Sequence, residues 1–417
     1  MTPAPAPGFQ APQFPLPVRV ALTGWRALQK AGIGRTSLDE ASLIAAARRE
    51  SGLHHFVDES FREPLRRLLA SLEEEAHLHP LGRMLLRQSL VRALVNRLRL
   101  EDLCDRHPEI RELPVREPVF VLGLQRTGTT LLHRLLTCEP ALRPLLSWEA
   151  LNPAPFPGVA PSAGRDPRMR LAELAERGLR YLAPEFFAIH PVEAHAPEED
   201  VLLLDLSFMS PTADATLGVP RYSAWLRDTD QSPAYHYFRR AIQLLLWQRP
   251  GRWLGKTPHH LENLDVLLDV FPDAKIIHTH RDPVRVVASF ASMIAHGRAI
   301  FSDRVDPCEV GSQLADKAVR AVTRAISVRD RAPSHAFLDV AYPDLLADPL
   351  KEIRRIYDFL GLSLSPATEA TMQRWIAANP QNKRGVHHYR LEDFGLDRAQ
   401  LEQRFEPYRH RFGVAGE

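Results

Sequence analysis

Two stretches of this sequence combine glycine, hydroxyl and arginine side chains in patterns suited to gripping anions. The first is Gly123-Leu124-Gln125-Arg126-Thr127-Gly128-Thr129-Thr130, which follows the apolar run Val119 to Leu122. A glycine-bearing turn between a strand and a helix aims backbone N–H groups and the positive helix end at one point, where a phosphate would sit. Thr127, Thr129 and Thr130 add hydroxyl donors, and Arg126 adds charge. The two glycines have Walker A spacing, yet Thr129 stands where that motif has its lysine. Asp339 is the best substitute for a Walker B carboxylate, so Mg²⁺ and a γ-phosphoryl group lack their usual partners.

The second stretch is His280-Arg281-Asp282-Pro283-Val284-Arg285-Val286-Val287-Ala288-Ser289, after the strand candidate Lys275 to Thr279. Asp282 suits an N-cap and Pro283 the first helical position, so a helix starts directly after a strand. Ser289 then lies almost two turns on, on the face of the cap, and a long Arg281 side chain can fold back over that face. Arginine and hydroxyl together would grip one phosphate. A surface arginine paired with Asp282 is the plainer alternative.

Arg126-Thr127-Gly128-Thr129-Thr130 matches at every position the K/R-[ST]-G-T-[TW] loop of the sulfotransferases that use 3'-phosphoadenosine 5'-phosphosulfate (PAPS). Arg281 and Ser289 fall on that family's R-D-P…S site for the 3'-phosphate. The chain resembles this family from about 118 to 413, and bacterial members in particular at Tyr342-Pro343-Asp344-Leu345 and from Tyr389 to Gly395. The segment around Lys383-Arg384-Gly385 resembles the family's late K/R-x-G loop, which closes over the 3'-phosphate. The resemblance implies a P-loop-NTPase-like, doubly wound parallel sheet. It implies sulfuryl transfer from PAPS to an acceptor hydroxyl by in-line displacement, without a metal, leaving 3',5'-bisphosphoadenosine. An ATP-dependent small-molecule kinase of the P-loop class and a non-catalytic nucleotide-binding module are the rival readings.

In-line transfer rests on positioning and charge stabilisation. By resemblance Arg126 and the loop amides stabilise the leaving group, and Lys256, after a strand candidate, is placed to help. A hydroxyl acceptor also needs a general base. His190 has a separation from Arg126 like that of the catalytic histidine in several family members, and Glu149 follows the first loop as the glutamate base of tyrosylprotein sulfotransferases does. His195 is the third candidate. His259 and His260, beside Lys256, form no metal-ligand pattern with a third residue. Phe208, Met209, Tyr222, Trp225, Tyr235 and Tyr237 are candidates to line an acceptor pocket, which would suit a lipophilic or aromatic alcohol.

These residues need a scaffold, and the hydrophobic pattern supplies one. Buried parallel strands are expected within Glu117–Gly123 and at Arg252–Gly255, Lys275–Thr279 and His335–Ala341, separated by helical patterns as in βαβ units. Ahead of them, residues 18–113 form a helical N-terminal region. The spacing of Ser37 and Glu40 predicts a capping box, and the stripes Leu65, Leu68, Leu69, Leu72 and Leu86, Leu90, Leu94, Leu98 predict amphipathic helices. Residues 1–17 are too rich in proline for a signal peptide and predict a disordered tail. Residues 114–417 make up the α/β domain.

At 417 residues and 45% hydrophobic content the chain can fill a sizeable core. Lys and Arg number 53 against 51 Asp and Glu, so no global basic field draws it to nucleic acid or anionic membrane. Any anion site must be local. Cys104, Cys138 and Cys308 are scattered singly, which fits a reducing cytoplasm rather than a disulfide framework or zinc site. No apolar run is long enough to span a bilayer.

Overall fold

A computed structural model of the protein describes residues 14–158, 166–380 and 390–416. Five parallel strands form one sheet: β1 (Val119–Gly123), β2 (Leu142–Pro144), β3 (Arg252–Lys256), β4 (Lys275–His280) and β5 (Phe337–Ala341). Their spatial order is β2-β3-β1-β4-β5, with every pair parallel. The expected α/β architecture, a P-loop-like doubly wound sheet with an N-terminal helical extension, is therefore present.

Side chains alternate across a strand, and each face of β1 feeds a different core. Phe120 and Leu122, with Ile276 of β4, pack against the helices Ser232–Gln248, Leu264–Val270, Pro283–Ala299 and Pro307–Arg329. Val119 and Val121, with Leu254, Ile277 and Val340, pack against Thr129–Leu136 and Pro349–Leu360 on the other side. A continuous apolar run is what a strand covered on both faces requires.

The N-terminal region comprises the helices Leu16–Lys30, Glu40–Ser51, Arg62–Glu74 and Pro80–Arg106 and the single turn Glu109–Glu112. The first starts inside the stretch expected to be a tail; residues 1–13 lie outside the described residues. Both leucine stripes are buried as expected, and they form a core with Phe208, Leu217, Val219 and Tyr222 from the later chain. The expected capping box is replaced by another cap: Asp39 accepts from the Ser42 amide at 2.9 Å, while Ser37 accepts from the Asp39 amide. Buried Arg97 ties the two regions together. It pairs with Asp58 and Glu101 at 3.0 Å each and lies over the rings of Phe61 and Tyr237.

Three strands fall where expected: β1 begins at Val119 within the expected run, and β3 and β4 each extend one residue further at the C-terminal end. His335 and Ala336 instead make a 3-10 turn before β5, and three-residue β2 was not anticipated.

Candidate functional site

Both anion-suited turns leave the C-terminal ends of adjacent strands, since β1 and β4 pair with Gly123 opposite Thr279. Sheets of this kind expose their ligand crevice at that end. The approach is close: a Cβ on Gly123 would fall 2.3 Å from the Thr279 hydroxyl. The first turn passes through Arg126 at φ 66° and Gly128 at φ 88°, left-handed conformations that reverse the chain before the helix Thr129–Leu136. The first amides of that helix have no intrahelical acceptor. Arg126 and Thr130 are exposed beside them, and Thr129 is buried.

Thr127 departs from expectation. Its hydroxyl is buried beneath the turn, 2.6 Å from the Leu124 carbonyl and 2.6 Å from the Thr279 hydroxyl. It fastens the turn to β4 instead of facing outward.

In the second turn Asp282 caps the helix Pro283–Ala299 through the Val284 amide, as its sequence position suggests. Arg281 is not locked in the core. Its guanidinium donates to the Arg126 carbonyl at 3.2 Å and lies 4.3 Å over the Tyr342 ring. Tyr342 and Leu345 in turn abut Gly128, where an added Cβ would come within 3.0 Å of both. The two turns and the Tyr342 to Leu345 segment thus make one connected surface. Ser289 is on that helix and largely buried. Lys383, Arg384 and Gly385 lie outside the described residues.

Beside the first turn, Lys256 ends β3. Its Nζ contacts Glu199 at 2.6 Å, and Thr257 donates to the same carboxylate at 3.0 Å. Burial works to raise the Glu199 pKa, but Lys256, His190 and His259 outweigh it and hold the carboxyl at about 2. His190, at the end of the helix Pro184–Ile189, is half-buried within range of that charge. Under the same lysine, burial and the charges of Lys256 and Arg134 hold His133 well below the usual imidazole range. Glu199 was not anticipated. It reaches the site because Leu146 bridges Pro197 and the Asp200 amide donates to the Lys256 carbonyl.

Residues 118–366 match the sulfotransferase family model. The chain belongs to that family. Sulfotransferase STF9 from Mycobacterium avium superposes with a TM-score of 0.84 at 30% identity, covering 92% of this chain and 98% of that one. Sulfotransferase STF1 from Mycobacterium tuberculosis H37Rv gives 0.78 at 33% identity, covering 88% and 98%. In sequence, the omega-hydroxy-beta-dihydromenaquinone-9 sulfotransferase Stf3 of M. tuberculosis is 25% identical over 311 residues, 71% of this chain and 75% of its own length. This chain is accordingly an enzyme of the sulfotransferase class.

Within this sulfotransferase, several expected site residues are engaged elsewhere. Glu149 is buried and held by the Nη1 and Nη2 donors of Arg143, at 2.8 Å each, while it accepts from the Leu146 amide. A carboxylate saturated in this way is poorly placed to take a proton from an acceptor. His195 is exposed and bonded to Glu173 at 2.8 Å. The aromatic set does not line a pocket. Phe208, Met209, Tyr222, Tyr235 and Tyr237 are buried core, and half-buried Trp225 packs against it. The tyrosine hydroxyls are spent inward on Phe208 O, His260 and Glu101.

Asp339, the Walker B substitute, is separated from β1 by β4. Arg329 grips both its oxygens at 2.5 and 2.8 Å, and His280 bonds it at 2.7 Å. His278, His280 and Asp339 do bring ligand atoms within 4.8 Å of one another. A cation there would have to displace the Arg329 guanidinium, which also contacts His278 at 3.0 Å. Among the described residues no helix is long and apolar enough to cross a membrane.

Proposed function

We propose that this sulfotransferase draws its sulfuryl group from PAPS and delivers it to a hydroxyl of a small lipophilic or aromatic alcohol in the cytoplasm. The observation that carries the donor assignment is the contact between the turns: Arg281 bonds the Arg126 carbonyl, so two cationic, amide-rich anion cradles share one surface. A nucleotide with phosphate at both the 3' and 5' positions fits that donor set. PAPS supplies an activated sulfuryl group and leaves as 3',5'-bisphosphoadenosine. Arg126, Thr130 and the amides of Gly128 to Thr130 hold the 5' end, while Arg281 and Ser289 hold the 3'-phosphate. Thr127 and Thr129 shape the turn from beneath, and Lys383, Arg384 and Gly385 complete the 3' side.

Lys256 offsets charge on the leaving oxygen, and His190 accepts the acceptor's proton. Imidazole suits that task because its ordinary pKa lies near working pH. A carboxyl held at about 2 is a weak base, so Glu199 acts as the charge partner that orients Lys256 and His190. The free thiols Cys104, Cys138 and Cys308 accord with a reducing compartment. The lipophilic acceptor is supported by Stf3, which is named for an omega-hydroxy menaquinone.

The test is incubation with labelled PAPS and a metabolite extract, with mass spectrometry for an added SO₃ group, alongside bisphosphoadenosine binding in EDTA. Sulfated product and tight binding without divalent metal are expected. Stabilisation by ATP with Mg²⁺ and none by bisphosphoadenosine would overturn the reading in favour of a kinase.

A further inference from the structure

Arg281 reaches the Arg126 carbonyl and the Tyr342 ring with its side chain, while both of its sequence neighbours are held by one distant element. His280 Nδ1 bonds the Tyr408 hydroxyl at 2.8 Å, and its ring stacks on Phe412 with centroids 4.2 Å apart. Asp282, fully buried, receives Arg409 through Nη2 at 2.6 Å and Nε at 3.1 Å. Tyr408, Arg409 and Phe412 all belong to the C-terminal helix Arg398–Phe412. Leu401, Phe405 and Tyr408 are the buried stripe of that helix. Arg404 pairs with Asp316, and Arg411 with Asp330, which pin the helix along Pro307–Arg329.

We propose that this helix sets the reach of Arg281, with Tyr408 and Arg409 as positioning residues for recognition of the 3'-phosphate. The inference rests on the PAPS reading above. The Asp282 carboxylate caps its helix through the Val284 amide, and Arg409 supplies two further donors to the same oxygen. By offsetting that buried charge, Arg409 weakens the pull of Asp282 on the adjacent Arg281 guanidinium. Without it, Asp282 would draw on its nearest cation, and Arg281 would turn from the crevice. On the other flank, Tyr408 fixes His280, whose second nitrogen is held by Asp339 under the double grip of Arg329. The backbone on each side of Arg281 therefore depends on the end of the chain.

The test compares binding of 3',5'-bisphosphoadenosine and adenosine 5'-monophosphate to the full chain by calorimetry. The two nucleotides differ only in the 3'-phosphate. Wild type is expected to favour the bisphosphate by about 100-fold, as a charge-assisted, two-point phosphate grip allows. Arg409→Met should cut that preference to about tenfold or less, with monophosphate affinity within about twofold of wild type. Arg409→Lys, which keeps one donor to Asp282, should restore most of the preference. Tyr408→Phe gives a second reading that leaves Asp282 intact, with a loss of about threefold expected. Preference retained in both Arg409→Met and Tyr408→Phe, or equal weakening of both nucleotides, would overturn the inference. No preference in wild type would instead overturn the PAPS reading beneath it.

Discussion

The Arg281 guanidinium donates to the main-chain carbonyl of Arg126 across 3.2 Å, joining the turn after β4 to the turn after β1. The same group lies over Tyr342, whose ring abuts Gly128 of the first turn. Lysine cannot reproduce a planar group that stacks and donates at once. Arg281→Lys is expected to weaken bisphosphoadenosine binding by about tenfold and Arg281→Ala by about 100-fold. Monophosphate binding should change far less, as titration of each nucleotide will show.

Glu149 separates a structural from a catalytic role. Glu149→Gln leaves the buried Arg143 guanidinium without its counter-charge, which typically costs about 3–5 kcal/mol. Urea unfolding should register that loss, while kcat of the folded fraction stays within about twofold of wild type. A drop in kcat of about a thousandfold without loss of stability would return Glu149 to the base role.

His190→Asn is expected to lower kcat by about 10²- to 10⁴-fold and to leave bisphosphoadenosine affinity unchanged. Glu199→Gln should have two effects. It lowers kcat through Lys256 and His190, and it removes part of the acid sensitivity of the fold. With its pKa depressed to about 2, Glu199 contributes stability above the usual carboxylate range that is lost as pH falls toward 2. Wild type and Glu199→Gln should thus converge in relative stability on acidification, measured by unfolding midpoints between pH 5 and 2.

Asp205 has the opposite sign. Burial raises its carboxyl to about 6, against the hydroxyls of Ser210 and Thr212 and the charge of Arg92. A raised carboxyl favours the fold at low pH, and that contribution disappears as pH climbs through about 6. Asp205→Asn should therefore stabilise the protein at pH 8, on the order of 1–2 kcal/mol, and do little at pH 4. Melting curves at the two pH values check it.

The parts of the molecule legible in the sequence are those whose determinants are local. The β1 run announces itself because a strand buried on both faces must be apolar throughout, and Asp282-Pro283 marks a helix start within two residues. What was not legible depends on partners far along the chain. Nothing local in Glu198-Glu199-Asp200 marks a site residue, yet the fold brings Glu199 against Lys256 and buries Asp200 beside His260. Glu149 reads as a free carboxylate until β2, too short to show a pattern, delivers Arg143 to it. The tyrosines between Tyr222 and Tyr237 read as pocket lining. Their hydroxyls find acceptors in the interior, so amphipathic residues pass as core.

The pairing of β1 with β4, five residues in register up to Gly123 and Thr279, also works as a ruler. Backbone hydrogen bonds, rather than any side chain, set the gap between the two anchorage points. Substitutions can loosen either end of what is measured, but they leave the graduation untouched. A change of preferred nucleotide length would have to come from inserting or deleting residues in the turns themselves.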